Sequence, residues 1–126
     1  MIIKSFDVEK IRSISNNLIL IYGSNQGYKN QVIQDLFVKF FEGEISRYEE
    51  SEILNDKEGF VSGLMNKSLF EDNKLIIISR ATDKIVHLVK EIKEIEIDKI
   101  RIIFNSDNLE KKSKLRNLFE KEKELT

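Results

Sequence analysis

Three stretches of this chain, LILIYG at 18–23, KLIIISR at 74–80 and KIRIIFNSD at 99–107, are apolar at nearly every central position. A strand with one wet face alternates polar and apolar residues. An unbroken apolar run therefore belongs to a strand covered on both faces, the habit of a parallel sheet. Parallel neighbours need a crossover connection, usually a helix, and the segments between the runs carry helical periodicity. Val32, Ile33, Leu36, Phe37, Phe40 and Phe41 form one broad stripe, which predicts a helix over Tyr28–Phe41 with Gly43 as its stop. Phe60, Val61, Leu64 and Met65 predict a second helix near Asp56–Asn66. Ile85, Leu88, Val89, Ile92 and Ile95 stripe a third, with Thr82 or Asp83 as its N-cap.

Two further elements complete the pattern. Val8, Ile11 and Ile14 predict a short helix over Asp7–Asn16, and EISRYEES at 44–51 suits a short edge strand. Asp107 with Glu110 three residues on resembles a capping box. It would open a final helix over Asn108–Glu124, anchored by Leu115, Leu118 and Phe119. Strand and helix alternate throughout, without repeats or linkers. The expected fold is a single α/β domain over residues 1–126, three-layered around a mostly parallel sheet. Because the chain stops just after a helix, where such a fold would add a strand, an N-terminal domain of a longer polypeptide is expected.

Composition narrows the chemistry. With 40% hydrophobic and 34% charged residues the chain is globular in character and long enough for its own core. It has no cysteine, which excludes disulfides, thiol catalysis and thiolate metal sites. One histidine, His87, cannot build a histidine cluster and reads as a surface or boundary residue, so no metal is expected. A net charge of -1 gives no overall field toward DNA or membrane. Without a signal-like or bilayer-length apolar segment, a soluble, cytoplasmic protein is expected, with no membrane partner.

The first strand runs into GSNQGYKN, a turn with two glycines and a lysine that then opens a helix. That is the layout of a phosphate-binding loop, G-x-x-x-x-G-K-[ST], whose backbone N–H groups, lysine and hydroxyl hold phosphates and magnesium. The spelling fails in three places. Gly23 and Gly27 are separated by three residues, Tyr28 intrudes before Lys29, and Asn30 replaces the hydroxyl. The neighbouring strand ends in Ser79 and Arg80, a cation where a metal-binding acid is needed. The glycines are then expected only to permit tight strand-to-helix packing, with no nucleotide, cofactor or catalytic residue.

Three stretches together resemble the N-terminal domain of the DNA polymerase III delta subunit, from the bacterial clamp loader. They are LILIYGSNQGYKNQVIQDL, GLMNKSLFEDNKLIIISRA and NLEKKSKLRNLFEK, and they are spread between residues 18 and 121. The resemblance implies an AAA+-like P-loop NTPase frame with a degenerate phosphate loop. It also implies no activity of its own and, as a subunit, membership of the DNA polymerase III holoenzyme, a nucleotidyltransferase. It further implies that the domain grips the sliding clamp (the beta subunit) and helps to open it during replication. The other loader subunits, gamma/tau and delta prime, would contact mainly a missing C-terminal region.

By the same resemblance the gripping element falls on Leu69 and Phe70, with Ser68 and the possible help of Met65. An adjacent aliphatic and aromatic pair filling a pocket suits a contact that draws its energy from a few desolvated anchors. The bland reading of the pair is core packing between two elements. The last helix carries six basic residues against four glutamates between Asn108 and Thr126. Interleaved charges of this kind mark a solvated face, so DNA is expected to be met only indirectly, through the assembled complex. The alternatives are an atypical small P-loop NTPase or nucleotide kinase, and a generic α/β interaction module such as a receiver-like domain.

Overall fold

A computed structural model of the chain describes residues 17–39, 41–68, 73–95 and 100–121, the side chains of 66–68 and 121 excepted. Four strands form one sheet: β1 (Leu18–Tyr22), β2 (Glu44–Glu49), β3 (Lys74–Ser79) and β4 (Ile100–Ser106). Their order is β1-β4-β3-β2, and every pairing is parallel. The three apolar runs are β1, β3 and β4, and the polar segment EISRYE is β2, paired with β3 alone among the described residues. A charged strand at a sheet edge is what protects the edge from pairing with other chains.

Helix α1 (Gln26–Ile33) continues as a π-helical turn over Gln34–Val38, in which the Lys39 N–H reaches the Gln34 carbonyl. It starts two residues before the expected Tyr28, because Asn25 caps it by accepting the Tyr28 N–H at 2.9 Å. Helices α2 (Glu50–Leu54) and α3 (Lys57–Ser68) join β2 to β3. After β3, Thr82 caps a 3₁₀ turn at Asp83–Ile85 that leads into α4 (Val86–Lys93), and α5 (Lys114–Lys121) follows β4. His87 is exposed on α4. The first expected helix, Asp7–Asn16, lies outside the described residues.

Alternation along the strands divides the core in two. Ile19, Ile21, Leu75, Ile77 and Ile103 face α1, against Ile33 and Phe37. Leu20, Ile76, Ile78, Ile102 and Phe104 face the other way, against residues of α2 to α5 including Ile53, Leu64, Leu88 and Phe119. This is the three-layer α/β arrangement expected from the unbroken apolar runs. The order differs from the 2-1-3-4-5 order of receiver-like domains, since β1 pairs with β4 and lies far from β2.

The final helix also departs from expectation. Asp107 and Glu110 do not open the final helix; residues 107–113 form bends and turns, and α5 begins at Lys114. Ser113 is the cap, its Oγ accepting the Arg116 N–H at 3.3 Å. Asp83, thirty residues upstream, accepts the Leu115 N–H at 3.0 Å and the Ser113 hydroxyl at 2.6 Å. A carboxylate brought in by the fold outcompetes the local box, and Leu115 and Phe119, both 0% exposed, fix the phase of the helix.

Candidate functional site

The carboxyl ends of β1 and β4 mark a switch in the winding of the sheet. The chain leaves β1 toward α1 on one face and leaves β4 toward α5 on the other. In open parallel sheets ligands bind in the crevice that such diverging loops leave. Here the loop after β1 is the short turn 23–25, and the helix has already begun before Gly27. Gly23 has φ of +148°, a conformation that side-chain residues rarely adopt. An added Cβ at Gly23 would meet nothing within 4 Å, and at Gly27 only the Asn25 Oδ1 at 3.7 Å. Neither glycine is a close-packing position, which corrects the expectation of tight strand-to-helix contact. Gly23 serves backbone conformation, and Gly27 borders open space.

Lys29 turns away from that space. The residue is 4% exposed, and its ammonium donates a hydrogen bond to the Ser106 carbonyl oxygen at the end of β4. It also lies 3.9 Å from a carboxylate oxygen of the exposed Asp107. Burial pulls its pKa below the ordinary lysine value, and the Asp107 charge partly offsets this. Asn30, which stands where a magnesium-binding hydroxyl would be needed, is also engaged. Its Oδ1 accepts from Gln26 Nε2 at 3.1 Å and from Asn105 Nδ2 at 3.4 Å. The groups that a phosphate loop points at its ligand are here bonded to the protein.

Beside the turn, between α1 and the ends of β2, β3 and β4, lies an open groove of about 1080 Å³. Its floor follows from strand register. Glu49, Ser79 and Asn105 are aligned across the sheet, and all three point to the α1 face. One level deeper, Ile77 continues the apolar core and Arg47 faces the groove from the edge strand. Arg80 adopts φ of +58°, the left-handed region that costs a non-glycine residue about 1–2 kcal/mol. Its Nε lies 3.8 Å from the Glu49 carboxylate at the rim. Asn105 is 3% exposed, and its Oδ1 has no hydrogen-bond partner among the described residues.

Met65 is 51% exposed near the end of α3, Ser68 closes that helix, and Leu69 and Phe70 lie outside the described residues. On α5, Arg116 is used within the domain. Its Nε bonds Glu120 at 3.1 Å, its Nη1 bonds the Leu109 carbonyl, and its guanidinium stacks over Tyr22. No three His, Asp or Glu side chains come together as a metal site among the described residues. Nor is any helix among them long and apolar enough to cross a membrane.

Sequence reasoning placed the glycines and Lys29 at the crevice but not the direction of the lysine. Ser79 and Arg80 entered it only as positions where an acid is missing, and Arg47 and Glu49 did not enter at all. The signal was available: β2 and β3 end on the polar Glu49 and Ser79, Asn105 stands next to the end of β4, and parallel register turns these into a polar row. Compared with known protein families, with curated proteins and with solved structures, the chain gives no match.

Proposed function

We propose that this chain is a non-catalytic binding module on an AAA+-like frame, acting in a clamp loader of the DNA polymerase III delta type. The inward hydrogen bond of Lys29 carries the non-catalytic part of this reading. A lysine that neutralises terminal phosphates must reach into the crevice, and this one is spent on Ser106 and Asp107. Freeing it would leave a buried carbonyl without its donor, at a cost of about 1–3 kcal/mol. Asn30 adds to this, because its oxygen already accepts two amide donors.

The clamp-binding part is supported by the three quoted stretches and by where they fall. Helix α3 ends at Ser68, and Met65, an exposed apolar side chain, precedes Leu69 and Phe70 by four and five residues in the sequence. In this reading Leu69 and Phe70 insert into an apolar pocket of the sliding clamp, with Met65 at the margin. The domain acts mechanically, by preferring the open ring to the closed one. ATP is handled by partner subunits, and DNA is met through the complex.

The test is a pull-down of the chain with the cognate sliding clamp, comparing wild type with the Leu69→Ala/Phe70→Ala double variant. Loss of more than about 2 kcal/mol of affinity is expected for a pair of anchors. Unchanged capture by a folded double variant rejects the contact. Calorimetry with MgATP addresses the frame separately: binding that disappears in Lys29→Ala would replace this reading with that of an atypical P-loop NTPase.

A further inference from the structure

We draw no further inference here: the strongest candidate, the outer edge of β1, an apolar strand that pairs with β4 alone among the described residues, carries none because nothing in the structure shows what covers it.

Discussion

The ammonium of Lys29 rests on the carbonyl oxygen of Ser106, tying the first helix to the far end of the strand that neighbours its own. This bond crosses the place where the sheet's winding switches, and it is made from the interior. A cation in that position holds the crevice together instead of offering itself to an anion. Two consequences are expected. MgATP should give no saturable heat in calorimetry, and Lys29→Ala should lower unfolding stability by about 1–3 kcal/mol in urea. Lys29→Met, which keeps the stem packed beneath α1, should lose less than the alanine variant.

Asp83 links α5 to the turn before α4, and its pKa is lowered first by the Ser113 hydroxyl; burial opposes this as the next largest effect, and the Leu115 and Lys114 backbone N–H groups and the Lys114 charge lower it further. A depressed carboxylate pKa stabilises the fold at pH values above the group's unfolded pKa. That contribution fades as pH falls through the folded value. Asp83→Asn should therefore be less stable than wild type at neutral pH, and the gap should close once both states are protonated. Urea unfolding followed across the acid range checks the sign; a gap that stays constant with pH would show that the cap acts without its charge.

The glycines at 43 and 63 should respond oppositely to alanine. At Gly43, φ is +149° and an added Cβ would lie 2.4 Å from the Asn73 carbonyl oxygen, so backbone would have to move. Gly63 lies in the exposed middle of α3, with nothing within 4 Å of an added Cβ. Gly63→Ala should raise stability by about 0.5–1 kcal/mol, while Gly43→Ala lowers it. Thermal unfolding of the two variants side by side decides the matter.

Phe119 anchors α5 edge-on against Phe104, with ring centroids 5.8 Å apart. Neither ring is exposed, so Phe119→Ala should cost about 3–5 kcal/mol. Lys112→Ala, which breaks a solvent-exposed pair with Glu110, should stay within about 0.5 kcal/mol of wild type. Parallel denaturant curves would show a large shift for the first variant and almost none for the second.

Much of the scaffold could be read from patterns of single residues. LILIY and LIIIS announce buried strands because no solvated face tolerates such a run, and EISRYE announces an edge because its charges need water. Leu115 and Phe119 could be picked out as anchors from their one-turn spacing. The start of α5 could not, because Asp107 and Glu110 look like a cap and the true acid, Asp83, is distant in sequence. The direction of Lys29 was hidden for a similar reason: a lysine's long stem can point outward or inward, and only the position of Ser106 decides which.

By itself, then, the sequence determined what repeats along the chain: strand against helix, buried against wet, and a glycine turn that departs from the phosphate-loop spelling. Only tertiary structure determined what meets across it. The order β1-β4-β3-β2, the level at which Glu49, Ser79 and Asn105 align, and the bonds of Lys29 and Asp83 all depend on contacts between distant segments. Periodicity is a local property, fixed by the geometry of one helix or strand. Partnership between charged and polar groups depends on three-dimensional proximity, which local periodicity does not encode.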